Sequence, residues 1–228
     1  MEKGGKIILI CLIYYTLMKH IKNIVKFVLN TIFGKYIIYK HAGNDRKISL
    51  TFDDGPVAAN TELVLDVLKA ENVKAVFFVL GKHVVAHPEI VRRIHNEGHE
   101  IGIHGYDHLS AKSGKNISYI KGVEDTALLL EKITGSYSSK LFRPPYGDIT
   151  VYTFIKLISK GYRYIMWSYD SLDSFIKDKN DLLISIKANQ PSNGAITLFH
   201  DDYDYTAELL KEILIYWKSL GFEFVKVS

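Results

Sequence analysis

From residue 48 onward the chain alternates short apolar runs with segments of helical periodicity, and this alternation constrains the fold more than any other feature. Asn60, for example, can cap a helix over 60–70 whose apolar residues fall on one face. Seven apolar runs separated by such helices predict a parallel sheet, because parallel strands need crossover connections. At this length we expect an α/β fold in which the sheet closes into a barrel. The predicted strands are residues 48–52, 75–80, 100–103, 140–142, 164–167, 195–199 and 222–227.

Charge is distributed unevenly along the chain. The 228 residues carry a net charge of +4, whereas residues 1–47 alone hold nine Lys or Arg against Glu2 and Asp45, a net +7. The rest of the chain is therefore at −3. A basic head on a mildly acidic body argues against nucleic acid as a partner and favours an anionic membrane surface. Cys11 is the single cysteine, so no disulfide can form within the chain.

An apolar stretch lies near the N-terminus, at residues 7–18, with lysines on both sides. It is short for a bilayer span and typical of the apolar region of an export signal. Because no small-x-small cleavage site follows, we interpret it as an uncleaved signal-anchor, with a cleaved peptide or an interfacial segment as alternatives. Residues 21–32 are apolar at helical spacing and either lie on the membrane surface or pack on the domain. We thus expect an anchor and basic amphipathic segment at 1–38 and one folded domain at 39–228.

Polar residues cluster where the predicted strands end. In a parallel β/α barrel the carboxyl ends of the strands meet at one mouth, where the chemistry of such folds is found. The sequence therefore predicts one site to which five strands contribute residues. These residues are Asp53 and Asp54 after the first strand, His104 and His108 after the third, Arg143 after the fourth, Asp170 and Asp173 after the fifth, and His200 and Asp201 after the sixth.

Two adjacent carboxylates, Asp53 and Asp54, precede Gly55-Pro56. Neighbouring side chains on an extended chain point to opposite faces, so one acid can hold a cation while the other takes a proton. The alternative is a solvated surface turn.

Two histidines four residues apart, His104 and His108, can reach one ion when the segment turns helically. With Asp54 they form a two-histidine, one-carboxylate set that suits Zn²⁺ or another divalent transition metal. The other histidines are predicted to be structural: His20, His41, His83, His87, His95 and His99.

The segment Arg143-Pro-Pro-Tyr-Gly147 is a rigid loop. A buried cation needs a carboxylate partner, and Asp53 is the candidate for Arg143. The stiff loop could also aim a backbone N–H at a developing oxyanion. The alternative is a surface turn with a solvated arginine.

These motifs resemble the polysaccharide deacetylase family, also called the NodB-homology domain or carbohydrate esterase family 4. The resemblance runs from about Tyr39 to the C-terminus and includes every family motif in order. It implies a distorted (β/α) barrel of seven or eight strands. It also implies that Asp53 is the catalytic base, and that Asp54, His104 and His108 bind the metal.

The remaining motifs carry further implied roles. By resemblance, Arg143 orients the base and the Tyr146 N–H helps to form the oxyanion hole. Leu198 lines the acetyl pocket and His200 is the general acid. Asp170-Ser-Leu-Asp173 resembles the fourth motif, in which the second acid tunes the histidine.

Two positions depart from the family pattern. The fourth motif usually continues with tryptophan, whereas Ser174-Phe175 follow Asp173 here, so one aromatic wall of the sugar groove is missing or moved to Phe175. The second motif often has Ser or Thr after its first histidine, and Gly105 replaces it. Both changes concern glycan specificity, because neither removes a catalytic group.

The sequence thus predicts a metal-dependent hydrolase that removes N-acetyl groups from an N-acetylhexosamine-containing glycan and releases acetate. Peptidoglycan N-acetylglucosamine is the preferred substrate, because the anchor would keep the domain near the wall. We expect Zn²⁺, or Co²⁺ or another transition metal, as cofactor. We also expect a monomer on the extracellular face of a bacterial membrane, or a secreted one. The alternatives are an O-deacetylase of xylan type and a non-catalytic glycan-binding or membrane scaffold.

Overall fold

The structure, a computed structural model, describes residues 34–43, 45–137 and 139–227. The chain divides into two units, Met1–Ile37 and Ile38–Ser228. The predicted anchor at 7–18 and the helical pattern at 21–32 lie outside the described residues, so both stay predictions. Within the described ranges no helix combines the length and the apolar character needed to cross a bilayer.

Ten short strands and seven helices follow one another in the described part of the chain. The strands are β1 Ile37–Ile38, β2 Lys47–Ile48, β3 Thr51–Asp53, β4 Val76–Val79, β5 Glu100–Ile103, β6 Leu141–Phe142, β7 Arg163–Ile165, β8 Tyr169–Asp170, β9 Thr197–His200 and β10 Glu223–Phe224. The helices are α1 Asn60–Ala70, α2 Gly81–Ala86, α3 Pro88–Asn96, α4 Asn116–Thr134, α5 Val151–Ser159, α6 Lys179–Ala188 and α7 Thr206–Ser219.

The main sheet has eight strands in the order β1-β7-β6-β5-β4-β3-β9-β8. From β7 through β8 each neighbouring pair is parallel. β7, which lies next to the end strand β1, is close along the chain to β8 at the opposite end of the order, since three residues separate the two strands. The sheet therefore curves into an incompletely closed barrel, which confirms the expected distorted α/β barrel.

The predicted strand at 48–52 is two strands. β2 pairs with β10 in a separate two-stranded sheet, and β3 lies in the main sheet between β4 and β9. Ser49 marks the switch: its N–H donates to the Ala195 carbonyl at 2.9 Å, while its hydroxyl donates to the Val225 carbonyl at 2.7 Å. One continuous apolar run thus contributes strands to two different sheets. Hydrophobic periodicity alone cannot show where the pairing changes.

Most residues of the main-sheet strands are buried, because helices cover the outside and side chains fill the inside. In β4 all four residues are buried, and Phe52 of β3 stacks on Phe77 with ring centroids 5.2 Å apart. On the outside, Trp217 of α7 is fully buried and meets Phe199 edge-on at 6.0 Å. This packing holds the carboxyl ends of the strands in fixed positions.

A substitution of Gly102 tests how tightly the side chains inside the barrel are packed. A methyl group added at this β5 residue would collide with the Phe78 ring of β4. We expect Gly102→Ala to lower the free energy of unfolding by about 1–3 kcal/mol, the usual cost of overpacking a core. Urea unfolding followed by circular dichroism measures it. An unchanged midpoint and slope would contradict the close approach of the two strands.

Candidate active site

The predicted site residues meet at the carboxyl end of the barrel. Asp53 ends β3 and is paired in register with His200, which ends β9. His104 directly follows β5, and Arg143 directly follows β6. Parallel register places these strand ends side by side, so residues from distant parts of the chain line one mouth.

Arg143 is completely buried and its hydrogen bonds connect three strands. Its Nη1 donates to Asp53 Oδ1 and to Thr51 Oγ1, both at 2.7 Å. Its Nε and Nη2 donate to the carbonyls of Ile165 and Met166 at 3.0 and 3.2 Å. The guanidinium also lies 4.1 Å from the Phe78 ring centroid. A buried guanidinium with this many hydrogen-bond partners is held in one position, and it therefore fixes the Asp53 carboxylate.

The Asp53 carboxyl is 3% exposed. Burial raises the pKa of Asp53, while the charges of Arg143, His200 and His108 act in the opposite direction. Oδ1 is held by Arg143, whereas Oδ2 lies 3.8 Å from His104 Nε2. One oxygen is therefore anchored and the other faces the mouth, where it can accept a proton.

Three possible metal ligands converge beside Asp53. The ligand atoms of Asp54, His104 and His108 all lie within 4.8 Å of one another. Asp54 Oδ1 is 3.6 Å from His104 Nε2 and 3.4 Å from His108 Nε2. Ligands of one tetrahedral metal at ordinary Zn–N and Zn–O bond lengths are separated by about 3.3 Å, so the spacing fits a single ion.

Three further observations support a metal at this point. Asp54 Oδ1 is buried without a hydrogen-bond partner among the described residues, a costly state that a cation would relieve. His104 Nδ1 donates to the Arg143 carbonyl at 2.8 Å, which leaves Nε2 free as a ligand. Burial lowers the pKa of His104 to about 3, so the imidazole is neutral, as metal binding requires.

His83 supports this site although its sequence position gave no indication of it. Its Nδ1 hydrogen-bonds to the Asp54 carbonyl at 2.7 Å. Asp54 adopts φ 74°, a left-handed conformation that is uncommon for a residue with a side chain. The bond from α2 thus helps to hold a strained ligand residue. His83 was predicted only to be structural, and α2 was not predicted at all.

The Tyr146 ring lies over the second histidine. It meets His108 edge-on with centroids 4.4 Å apart, and it is 68% exposed. The loops carrying these residues are tied by Ser110, whose hydroxyl donates to Asp148 Oδ2 at 2.6 Å, and by an ion pair from Lys112 to the same carboxylate. The implied role of the Tyr146 N–H in an oxyanion hole stays a prediction.

His200 is bound twice by one carboxylate. Asp173 Oδ1 pairs with His200 Nδ1, and Asp173 Oδ2 accepts the His200 backbone N–H, both at 2.7 Å. Burial lowers the pKa of His200, but the Asp173 hydrogen bond and charge outweigh it and raise the pKa to about 9. The ring is therefore protonated at neutral pH, with Nε2 left for the mouth.

Asp170 and Leu198 lie beside this pair in β8 and β9 and are opposite each other in register. Leu198 is buried. Asp170 Oδ1 accepts the Leu172 N–H at 2.9 Å, so its carboxylate stabilises the turn that leads to Asp173. The two residues are part of the same wall, and their implied substrate contacts stay predictions.

Asp201 is a buried acid behind the metal-ligand turn. Its Oδ2 accepts from Thr61 Oγ1 at 2.6 Å, while Oδ1 has no hydrogen-bond partner among the described residues. A methyl group at Gly55 would collide with both oxygens, so only glycine fits next to Asp54. Burial raises the pKa of Asp201 to about 7. The sequence placed Asp201 at a strand end but gave no signal for this contact.

Metal binding can be tested without an activity assay. We expect Zn²⁺ to raise the melting temperature of the protein, because an ion that binds only the folded state stabilises it. The rise should vanish in Asp54→Ala, which removes one ligand. Asp107→Ala is the matched control, since Asp107 is an exposed acid between the two histidines. Equal Zn²⁺ stabilisation of Asp54→Ala and wild type would contradict the assignment.

The pKa of Asp201 predicts a pH-dependent stability. Its folded pKa, about 7, lies above the ordinary aspartate value of 3.8, so folding is increasingly penalised as pH rises between these values. We expect Asp201→Asn to gain on the order of 1–4 kcal/mol in unfolding free energy over wild type at pH 8, and little at pH 4. Urea unfolding across this range measures the difference. A gain of equal size at both pH values would be inconsistent with a buried titrating acid.

Comparison with known proteins gives the same family as the motifs. The polysaccharide deacetylase family model matches residues 40–165, more than half of the chain. A peptidoglycan-N-acetylglucosamine deacetylase of Bacillus cereus is 33% identical over 198 residues, which is 85% of this chain and 92% of that protein. The crystal structure of the Bc1960 peptidoglycan N-acetylglucosamine deacetylase superposes with a TM-score of 0.79 at 29% identity, covering 87% of this chain and 94% of that one.

Other relatives are longer proteins. The peptidoglycan-N-acetylglucosamine deacetylase PgdA of Listeria monocytogenes is 36% identical over 187 residues, which is 82% of this chain and 39% of PgdA. The chain thus spans less than half the length of the first curated relatives it matches. The family model, the curated relatives and the solved structures all indicate the same family, and the chain belongs to the polysaccharide deacetylase family.

Proposed function

We propose that this chain is a metal-dependent hydrolase that removes N-acetyl groups from N-acetylglucosamine residues of a cell-wall polysaccharide, with peptidoglycan as the preferred substrate. The proposal rests on one observation: three groups of side chains lie together at the mouth of the barrel. These are a carboxylate anchored by a buried arginine, a histidine-histidine-aspartate triplet, and a histidine held by its own carboxylate.

Asp54, His104 and His108 would hold the divalent metal that deacetylases of this family use. Such an ion lowers the pKa of a bound water and polarises the acetamide carbonyl. Two imidazoles and one carboxylate suit Zn²⁺ best, with Co²⁺ as the next candidate. The neutral state of His104, enforced by burial, keeps this ligand set ready at neutral pH.

Asp53 acts as the general base. Its Oδ2 faces the triplet and takes a proton from the attacking water, while Oδ1 stays bonded to Arg143. Burial raises the pKa of Asp53, which strengthens the carboxylate as a base, while the charge and hydrogen bond of Arg143 act against that rise. In this proposal the Tyr146 N–H, on the loop after β6, donates to the carbonyl oxygen as charge develops there.

His200 acts as the general acid. Amide cleavage needs a proton on the departing nitrogen, because an amide anion is a very poor leaving group. His200 Nδ1 is bonded to Asp173, so Nε2–H is the group that can deliver this proton. The C–N bond breaks, the acetyl group leaves as acetate, and the sugar keeps a free amine.

The location of the protein is part of the proposal. The net charge of +7 on residues 1–47 and the apolar run at 7–18 support an anchor at the extracellular face of a bacterial membrane. A domain held there would reach the inner surface of the wall. The peptidoglycan deacetylases among its relatives support the same substrate.

Acetate release tests the proposed reaction. We expect the protein loaded with Zn²⁺ or Co²⁺ to release acetate from peptidoglycan and from N-acetylglucosamine oligomers. Asp53→Asn, which keeps the shape but loses the base, should lower turnover about 10²- to 10⁴-fold while retaining Zn²⁺-induced stabilisation. Release from acetylated xylan alone would favour the O-deacetylase, and no turnover on any substrate would favour the scaffold.

The pH profile tests the roles of His200 and Asp173. The rate should be bell-shaped, since Asp53 must be ionised and His200 protonated. His200 is protonated below a pKa of about 9, so activity should fall as pH rises through that value. Asp173→Asn removes the interaction that raises this pKa, and the alkaline limb should move to lower pH. An alkaline limb that Asp173→Asn leaves in place would rule out His200 as its source.

A further inference from the structure

The segment that follows β9 folds back over the Asp173–His200 pair. Tyr203 and Tyr205 lie in this segment, three and five residues after His200, and precede α7. The Tyr203 ring meets the His200 ring edge-on, with centroids 6.0 Å apart. It also stacks on Tyr205 with centroids 5.5 Å apart and an interplanar angle of 6°.

Tyr205 contacts Asp173 directly, and Tyr203 is linked to it through Lys177. The Tyr205 hydroxyl donates to the Asp173 carbonyl at 3.0 Å. Lys177 Nζ lies 3.5 Å from the same carbonyl and 4.0 Å from the Tyr203 ring centroid. Asp173 is therefore held at its backbone by Tyr205 and Lys177, and at its carboxylate by His200.

The two residues that follow Asp173 offer little cover for the Asp173–His200 pair. Ser174 has no ring, and Phe175 is 77% exposed. Water that reaches the Asp173–His200 hydrogen bond would weaken it, since hydrogen bonds to charged groups are stronger where solvent is excluded.

We propose that Tyr203 and Tyr205 form an aromatic cover over the Asp173–His200 pair and act as positioning residues for the general acid. Tyr205 fixes the backbone of Asp173, which in turn orients His200. Tyr203 packs against one side of the imidazole and keeps water from it. This inference rests on the proposed function, because the two tyrosines act through His200 as it protonates the leaving amine.

Two substrates separate this role from a general effect on the fold. Turnover of an N-acetylglucosamine oligomer needs a proton from His200, whereas 4-nitrophenyl acetate releases a nitrophenolate that needs none. Both reactions use the same base and metal ligands. A residue that acts through His200 should therefore affect the amide reaction selectively.

We expect Tyr203→Ala to lower kcat on the oligomer roughly tenfold or more, a fraction of the full contribution of a general acid, and to leave aryl-ester turnover within about threefold of wild type. Tyr203→Phe keeps the ring and should restore amide turnover. Tyr205→Phe, which loses only the hydroxyl, should show a smaller selective loss. Tyr216→Phe is its matched control, since the Tyr216 hydroxyl also contacts a backbone carbonyl, that of Lys187 at 3.4 Å.

Equal losses on both substrates, or no loss in Tyr203→Ala, would overturn the inference while leaving the proposed function intact. A selective amide loss in Phe175→Ala but not in Tyr203→Ala would assign the cover to Phe175 instead. A wild-type protein that cleaves the aryl ester but no amide would count against the proposed function itself, and this outcome is distinguishable because it appears before any variant is made.

Discussion

The buried guanidinium of Arg143 is the contact on which the mouth depends. A charge without solvent is tolerated only where every donor has a partner, and here the partners come from β3, from the end of β7 and from the residue that follows it. The same interaction therefore aligns strands and fixes the Asp53 carboxylate. Structure and proposed chemistry share one requirement, because the geometry that satisfies Arg143 also leaves one Asp53 oxygen facing the metal ligands.

Backbone strain is concentrated around this point. Asp54, His108, Tyr146 and Leu172 all have φ between 60° and 74°, a region that side chains disfavour. Such conformations persist where the surroundings determine them, and they aim side chains or N–H groups in directions that relaxed loops do not reach. The barrel thus supplies rigid strand ends, and the strained loop residues convert these ends into a site.

Hydrophobic periodicity in the sequence predicted the long elements well. It predicted short elements poorly, because their conformation depends on the segments with which they pair. The helix expected at 60–70 is found as Asn60–Ala70, because its eleven residues carry their apolar side chains on one face. The two-residue β8 and six-residue α2 are too short for any period. The site residues could be predicted from the sequence because charged residues and histidines are unusual directly after apolar strands. The contacts of His83 with Asp54 and of Asp201 with Thr61 join segments far apart in sequence and leave no local pattern.

The small sheet of β2 and β10 joins segments near the two ends of the barrel unit. Glu223 N–H bonds to the Arg46 carbonyl at 2.8 Å, so these two segments lie side by side. A folded unit whose first and last segments lie close together can be circularly permuted or inserted into another protein with a short linker, because the rest of the fold is not pulled apart. The mouth lies at the carboxyl ends of the main-sheet strands, away from this join, so new neighbours could be attached without reshaping the site.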